Sequence, residues 1–310
     1  MEKVSILLSV YRPNPVYLRE QLISINRQTY DHLEVIVWND CPTEEIDRKL
    51  FEECLTRFPV KFYEEKQNLG YIGAFEKLSG LADGEYISYC DQDDVWEDGK
   101  ISECMAAIRE NGAIAAVSDR SLIDGDGRIT CSSVRQSSKA PSLRWKTGDD
   151  ITKRAAFFSY CTGMTLVAKR EEVQKILPFT PGLPHDQQLI FFLSAAGKAA
   201  YVEKALVRHR RYGENASGTL AGIRRKQDYY DTRCKPVRQM LEHFRRMYPD
   251  YPGLKEMESC CEARIKGSIF GIWKYRDLMP ETYLYEIGLA LCPDSVFRHI
   301  KGRLISAREI

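Results

Sequence analysis

In residues 85–94, EYISYCDQDD, a run typical of a β-strand comes directly before three aspartates. The run 85–89 is rich in β-forming residues, and Asp91, Asp93 and Asp94 follow at its end. Open α/β sheets bind ligands at the carboxyl ends of their strands, and carboxylates at alternating positions place two hard oxygen ligands beside one divalent cation. An Asp-x-Asp turn alone is equally typical of a solvated loop that begins a helix, so its meaning depends on the sequence around it.

Strand-type and helix-type segments alternate on both sides of this stretch. That order predicts an α/β fold whose mostly parallel, Rossmann-like sheet is flanked by crossover helices. The segments that favour strands are 4–10, 33–38, 60–63 and 85–89, and those that favour helices are 16–28, 44–57, 72–81 and 101–109. Further along, 164–167, 199–202 and 206–209 favour short strands, and 185–196 favours a helix with a strongly apolar face.

Two later segments differ from this alternation. Residues 131–150 are rich in Ser, Lys and Gly around a lone Trp145, a composition that predicts a mobile loop, either a lid or an insertion. From about Thr219 only helix-type patterns occur, interrupted by prolines. We therefore expect two domains, 1–218 and a helical domain over 219–310.

Composition excludes several classes of protein. The chain has 310 residues with 45 Lys and Arg against 44 Asp and Glu, which gives no reason to expect a nucleic-acid partner. Ten cysteines occur without any CxxC pair, and no stretch reaches the roughly 20 apolar residues of a membrane span. With no signal peptide in view, we expect a location in the cytoplasm, or peripherally at the inner membrane surface.

Four other short motifs accompany the acidic stretch. They are SVYRPN at 9–14, Asn39-Asp40, Asn68-Leu69-Gly70 and Pro184-His185-Asp186. In this order and spacing, the set resembles family 2 glycosyltransferases of the GT-A fold, especially the bacterial polysaccharide and glycoprotein branch with Asp-Gln-Asp-Asp before an aromatic residue. The resemblance covers 4–218.

The resemblance implies a nucleotide site at the ends of the first two strands. Ser9, Val10 and Tyr11 would surround base and ribose, Asp40 would contact the base, and Asn68 and Gly70 would lie beside the base. The chain departs from the family just after Asp40, because NDCPTE at 39–44 stands where DDGSTD is usual. The missing Gly makes that turn harder to predict.

The resemblance also assigns the reacting groups. Asp91 would lie on the ribose side and share a divalent cation, Mn or Mg, with Asp93. Asp186 matches the general base that takes the proton of the acceptor hydroxyl. A base at pH 7 needs a raised pKa, which burial would provide, whereas the dipole at a helix N-terminus would lower the pKa instead.

A second departure concerns 208–215, RHRRYGEN. Tyr212 stands where relatives carry a His that completes the metal site, so the third protein ligand is open and water is an alternative. Arg210 keeps its family position, where it would meet the diphosphate. Trp96 would form a wall on the acceptor side with Asp94 in support, although a Trp here is as often part of the core.

The leading hypothesis is an inverting, metal-dependent glycosyltransferase. It would move a sugar from a UDP-hexose or UDP-N-acetylhexosamine to a glycan acceptor on a glycoprotein or a lipid-linked oligosaccharide. The alternatives are a dTDP-rhamnose-dependent rhamnosyltransferase and a catalytically dead assembly module. A nucleotidyltransferase ranks last, because 10–14 lacks the Gly-rich phosphate loop that a triphosphate requires. The helical domain would mediate homo-oligomerisation or acceptor docking.

Overall fold

The computed structural model describes residues 1–212, 223 and 225–293, and these fall into two compact units. The first unit holds Met1–Thr152, Ser159–Phe179 and residues 184–212. The second holds Lys153–Phe158, Thr180–Leu183 and the described residues from 223 onward. The domain boundary predicted at 218/219 lies outside the described residues.

A nine-stranded sheet organises the described part of the first unit. Its strands are β1 (Val4–Val10), β2 (Leu33–Asn39), β3 (Val60–Glu64), β4 (Tyr86–Cys90), β5 (Val95–Trp96), β6 (Ala115–Ile123), β7 (Ile129–Cys131), β8 (Leu166–Lys169) and β9 (Ala199–Arg210). They are ordered β3-β2-β1-β4-β8-β6-β9-β5, with β7 paired to β6. The β3-β2-β1-β4 half is parallel as predicted, β8 runs antiparallel to β4 and β6, and β9 lies parallel to β6.

Helices connect these strands and build the second unit. They are α1 (Pro15–Asn26), α2 (Arg48–Cys54), α3 (Gly70–Leu81), α4 (Lys100–Asn111), α5 (Val134–Ser137), α6 (Thr152–Ala155), α7 (Arg170–Ile176), α8 (His185–Ala196), α9 (Lys226–Tyr229), α10 (Lys235–Met247), α11 (Leu254–Ile265), α12 (Ile269–Lys274) and α13 (Tyr283–Leu291). No helix in the described ranges has both the length and the apolarity to cross a bilayer.

The core of the first unit explains why the parallel strands form. Every residue of β2 and all but one of β1 are buried, as expected for strands covered by helices on both faces. From one side, α1 contributes Leu18, Leu22 and Ile25 to this core. The register pairs Val10 with Asn39 and Leu8 with Cys90, so the carboxyl ends of β1, β2 and β4 lie side by side.

Two of the differences between the predicted and the observed elements have a clear physical cause. The second helix begins at Arg48 rather than at residue 44, because Asp47 caps it by accepting a hydrogen bond from the Leu50 N–H. The two short strands predicted at 199–202 and 206–209 are one strand, β9. A register shift against β6 between Ser118 and Asp119 absorbs the polar residues 203 and 204 that interrupt its apolar pattern.

The prediction of a mobile loop over 131–150 is wrong. The side chains of Arg135 and Trp145 are buried, and the guanidinium of Arg135 donates to the carbonyls of Leu143 and Trp145 at 2.7 and 2.8 Å. The indole of Trp145 packs edge-on against Tyr201 with ring centroids 4.9 Å apart. Two buried anchors therefore fix a segment whose average composition is polar.

The second unit is helical in its described residues, as the sequence predicts. Its interior contains an ion pair between Arg264 and Glu286, with N···O 2.7 Å and both side chains buried. The hydroxyl of Tyr229 donates to the same carboxylate at 2.8 Å. These contacts join α9, α11 and α13, and removing one partner would leave a charge buried without compensation.

Candidate active site

The site lies along the edge where β1, β2 and β4 end. The N–H of Asp40 donates to the carbonyl of Val10 at 2.9 Å, which ties the loops after β1 and β2 together. Ser9 is half-buried, and the Tyr11 side chain is 45% exposed. The Val10 side chain, predicted to contact the nucleotide, instead faces the core. Its side chain therefore contributes to the core directly beneath the two loops.

Asp40 and Asn68, both assigned to the base by the resemblance, contact each other directly. The Asn68 amide donates to the carboxylate and the carbonyl of Asp40 at 3.0 and 2.6 Å, and the Leu69 N–H donates to the same carboxylate at 2.8 Å. Gly70 starts α3 with φ +67°, a left-handed conformation that suits glycine. The Asp40 carboxylate thus organises the loop before α3.

The turn that lacks the family's Gly is built by Asn39. Its amide group donates to the Glu44 carbonyl at 2.8 Å, and its oxygen accepts from the Cys41 N–H at 3.0 Å. Asn and Asp side chains bond in this way to backbone groups two residues on, and so replace a glycine-dependent turn.

Carboxylates converge beyond β4. Burial and the charges of Asp93 and Asp186 raise the pKa of Asp91 to about 7, and its carboxylate receives no hydrogen bond from a described residue. The pKa of Asp93 is raised by burial, and that of Asp94 is raised well above its usual range by burial and by Asp91. Burial thus favours the neutral form of each of these three carboxyl groups.

Asp186 lies in the first turn of α8. Its Oδ1 accepts the Gln187 N–H at 2.7 Å, and the Gly163 N–H also bonds to the carboxylate. Both bonds and the charge of Arg120 favour ionisation, yet burial outweighs them and raises the pKa to about 6. Of the two opposite expectations stated above, the raised pKa is the one found.

His185 supports Asp186 from the core. Its ring packs against Phe75 and Tyr89, with centroids 4.4 and 5.1 Å apart, and burial lowers its pKa to about 3. A Cβ on Gly163 would lie 2.5 Å from His185 Nε2, so the loop that donates to Asp186 requires glycine there. His185 is therefore a neutral packing group next to the proposed base.

Arg120 on β6 is a site residue that sequence reasoning missed. Its guanidinium donates to Thr162 at 3.2 Å, its Nε has no hydrogen-bond partner, and the charges of Asp119, Asp186 and Asp94 act on it. Sequence patterns did not indicate that Arg120 belongs to the site, because no strand was predicted over β6. Only the pairing of β6 with β9 turns Arg120 toward the interior of the fold.

The prediction that Arg210 meets the diphosphate is wrong for this structure. Its side chain is 1% exposed, Nε donates to the Asp93 carbonyl at 2.9 Å, and the guanidinium lies 4.2 Å from the Tyr17 ring centroid. It also forms an ion pair with Glu20. Arg210 therefore stabilises the backbone of the acidic loop from the protein interior.

The acceptor-side assignment of Trp96 and Asp94 is also corrected. Trp96 is 2% exposed in the core, with the ammonium of Lys100 at 3.4 Å from its ring centroid. Asp94 is fully buried, and its Oδ1 accepts the Arg210 N–H at 3.0 Å. Trp96 lies on β5, opposite Val207 of β9, and Asp94 immediately precedes β5.

Tyr212 reaches the acidic loop. Its hydroxyl donates to Asp93 Oδ2 at 2.9 Å, and its ring lies 5.4 Å from that of Tyr17. The β5–β9 ladder carries the chain to this point. In place of a metal-ligating imidazole, the chain thus supplies a hydrogen-bond donor to the carboxylate.

The residues fit a divalent cation held by two carboxylates. Asp91 has no hydrogen-bond donor among the described residues, and its pKa is raised by burial and by the charges of Asp93 and Asp186, both of which a bound cation would counteract. No group of three or more His, Cys, Asp or Glu side chains in the described part of the chain is arranged to bind a metal. Magnesium-type sites commonly combine one or two carboxylates with water and substrate phosphates.

A Rossmann-like half-sheet that ends in a carboxylate-rich edge defines the GT-A class of fold, and comparisons with known proteins agree. The model of Glycosyl transferase family 2 matches residues 5–166, more than half of the chain. The chain belongs to glycosyl transferase family 2, and the protein is a glycosyltransferase. An uncharacterized glycosyltransferase of Nostoc sp. (strain PCC 7120) is 23% identical over 230 residues, which are 73% of this chain and 70% of that protein.

Solved structures share the fold. S. aureus TarS 1–349 in complex with UDP-GlcNAc matches with a TM-score of 0.60 at 16% identity, covering 91% of this chain and 82% of that one. GalNAc-T7 with UDP, GalNAc and Mn2+ matches with a TM-score of 0.56 at 15% identity, covering 89% and 55%. At these identities the likeness concerns the fold alone.

Proposed function

We propose that the protein transfers a sugar, with inversion at the anomeric carbon, from a UDP-sugar to a hydroxyl of a glycan acceptor. One observation carries the proposal: Asp186, with its pKa raised to about 6, is near enough to the acidic loop after β4 for its charge to help raise the pKa of Asp91. A general base together with two carboxyl groups that can ligate a cation suits a reaction that removes a proton and releases a diphosphate.

The nucleotide would occupy the loops after β1 and β2. Tyr11 presents an exposed aromatic ring there, and the Asp40–Asn68 contacts hold the neighbouring loop. With Ser9, Gly70 and Asp91 these residues form the proposed donor site. The UDP-GlcNAc and UDP complexes of TarS support a uridine nucleotide, and we favour a UDP-hexose or its N-acetyl form.

Asp186 acts as the general base. It accepts the proton of the acceptor hydroxyl while the acceptor oxygen attacks the anomeric carbon. The bond from that carbon to the diphosphate oxygen breaks, its electron pair leaves with UDP, and configuration inverts in a single displacement. A base with a pKa near 6 is ionised at pH 7 and still strong enough to assist the transfer.

Asp91 and Asp93 would hold the cation, manganese or magnesium. When bound, it would neutralise charge on the departing diphosphate as a Lewis acid. The Mn2+ in the GalNAc-T7 structure supports this assignment. Tyr212 keeps the Asp93 carboxylate in place through its hydrogen bond.

A donor panel tests the function. The protein is incubated with UDP-GlcNAc, UDP-glucose, UDP-galactose and dTDP-rhamnose plus manganese, and released nucleotide is measured. Release from a UDP-sugar supports the proposal, and release from dTDP-rhamnose alone supports the rhamnosyltransferase alternative. If no donor reacts and none binds in calorimetry, the result contradicts the proposed donor class and supports the alternative of a dead assembly module. The anomeric configuration of an isolated product, read by NMR, tests inversion.

We also propose that the second unit mediates homo-oligomerisation. The second unit has four large apolar side chains that are 51–78% exposed, those of Phe270, Trp273, Leu284 and Leu291. Two of them, Leu284 and Leu291, lie seven residues apart on one face of α13. Such a helix face suits pairing with a second copy about a two-fold axis. Light scattering should give a dimer or larger mass for the wild type and a monomer for Leu284→Ser/Leu291→Ser. An equal mass for both proteins would contradict this proposal.

The acceptor and the cellular location complete the proposal. We place the activity in the cytoplasm, or at the inner membrane surface, with a glycoprotein glycan or a lipid-linked oligosaccharide as acceptor. All ten cysteines are free, which fits a reducing compartment. Cell fractionation with an antibody separates the soluble location from the membrane-bound one.

A further inference from the structure

Gln92 lies between Asp91 and Asp93 and makes two contacts that the proposed chemistry does not use. Its Oε1 accepts the N–H of Tyr11 at 2.8 Å, and its Nε2 donates to the carbonyl of Tyr11 at 3.0 Å. One side-chain amide thus bonds both peptide groups of a single residue, as a neighbouring strand would do.

The contact holds a segment of backbone that has left the sheet. Strand β1 ends at Val10, and Arg12 has φ +43°, the only positive φ of a non-glycine residue in the described ranges. A left-handed conformation is costly for a residue with a Cβ, and surrounding contacts must maintain it. The Gln92 amide supplies two such contacts at the residue before the turn.

The same segment carries the exposed ring proposed for the nucleotide. The Arg12 guanidinium lies 5.4 Å from the Tyr11 ring centroid and 3.2 Å from the Glu44 carboxylate. Gln92 holds this segment from the acidic loop, whose Asp91 and Asp93 would meet the diphosphate end of the donor. The two ends of the donor site are therefore joined through one side chain.

We propose that Gln92 is a positioning residue that fixes the Tyr11 segment at a set distance from the acidic loop and so matches the site to the length of a nucleoside diphosphate. This inference rests on the proposed function. Gln92 acts through Tyr11, because both polar atoms of its amide are engaged with that backbone.

A double-mutant cycle on UDP affinity tests the inference. The variants are Gln92→Met, which keeps the side chain's length without its hydrogen bonds, Tyr11→Ala, and the double variant. Calorimetry with UDP and manganese measures each dissociation constant. Each single change should weaken UDP about tenfold, and the double variant should lose close to tenfold rather than a hundredfold, since residues that act as one unit are not additive.

Controls separate the outcomes. Gln227→Met makes the same change at an exposed Gln that bonds Asp231 in the second unit, and it should leave UDP affinity unchanged. Gln92→Asn retains the amide but is one methylene shorter, and it should bind UDP as weakly as Gln92→Met. Matching thermal midpoints confirm that the variants are folded.

Additive effects of the two changes, or wild-type UDP affinity in Gln92→Met or Gln92→Asn, would overturn the inference. The proposed function would still stand in that case, provided that the wild-type protein binds UDP. A wild-type protein that binds no nucleoside diphosphate would overturn the proposed function and this inference together.

Discussion

The phenolic oxygen of Tyr212 lies 2.9 Å from Oδ2 of Asp93 and donates a hydrogen bond to that carboxylate. The bond favours the ionised form of Asp93, against the burial that raises its pKa. A tyrosine here would therefore influence the proposed cation site through the carboxylate proposed to ligate the metal.

Tyr212→Phe removes this bond and should weaken manganese binding about tenfold, the lower end of the effect found when partners of metal ligands are removed. Tyr212→His offers an imidazole ligand and should bind manganese more tightly than Tyr212→Phe does. Calorimetric titration with manganese in the presence of UDP measures both. Equal affinity in the wild type and Tyr212→Phe would show that the bond has no influence on the metal.

Asp186→Asn should lower kcat of sugar transfer by a factor of about 10² to 10⁴, the usual contribution of a general base. UDP affinity should stay near the wild-type value, because Asp186 is assigned to the acceptor proton and not to the nucleotide. Steady-state kinetics and UDP calorimetry on the same preparation give both quantities. A variant with wild-type turnover would require a different base.

The pKa of Asp186, raised to about 6 by burial, predicts the acid limb of the activity. The base must be unprotonated, so kcat/KM should fall about tenfold per pH unit below pH 6 and level off above it. The profile is measured with saturating manganese, since a bound cation favours the ionised form of Asp91 and lowers its pKa of about 7. A profile flat from pH 5 to 8 would contradict the assignment.

Asp91→Asn should stabilise the metal-free protein at pH 8. The pKa of Asp91 is about 7 in the folded state, compared with 3.8 for an unperturbed group. The folded protein therefore binds more protons than the unfolded chain between these two values, and its stability falls as the pH rises from 3.8 to about 7. The asparagine has no charge to bury, and the melting temperature should rise by about 2–4 °C for each kcal/mol recovered. Thermal unfolding in EDTA tests this.

At about pH 3 the Asp91→Asn and wild-type proteins should melt at nearly the same temperature, because the carboxyl is then protonated in both states. Addition of manganese at pH 8 should raise the midpoint of the wild type only. A lower midpoint for the variant in EDTA at pH 8 would refute the electrostatic account.

Trp145→Ala should cost about 3–5 kcal/mol of stability, as expected for removal of a buried aromatic side chain. The indole is 4% exposed, and its Nε1 donates to the Tyr160 carbonyl at 3.0 Å. Limited proteolysis should then cut within 131–150 in the variant and spare this segment in the wild type. Arg144→Ala is the matched exposed change, expected to alter stability little. Rapid cleavage of the wild type would restore the mobile-loop interpretation.

Local sequence determined the parallel half-sheet and the position of its polar edge. The Val, Ile and Leu run of β1 permits only a buried strand, and a carboxylate directly after β4 must lie at the sheet's carboxyl edge because strand direction is set by the crossover helices. Asp40, Asn68 and Asp186 could be named only through the resemblance to family 2 glycosyltransferases. Helix α8 was predicted with the bounds that the structure gives, since its apolar face spans its whole length.

Long-range contacts decided the rest. Which way Trp96, Asp94 and Arg210 point depends on the pairing of β5 with β9, two segments more than a hundred residues apart that no local pattern connects. The raised pKa of Asp186 depends on how completely the surrounding elements exclude water, and the burial of Trp145 depends on Tyr201 across the fold. Sequence periodicity reports which residues are apolar within one element. Burial, charge coupling and side-chain direction depend on the neighbours that the tertiary structure brings to that element.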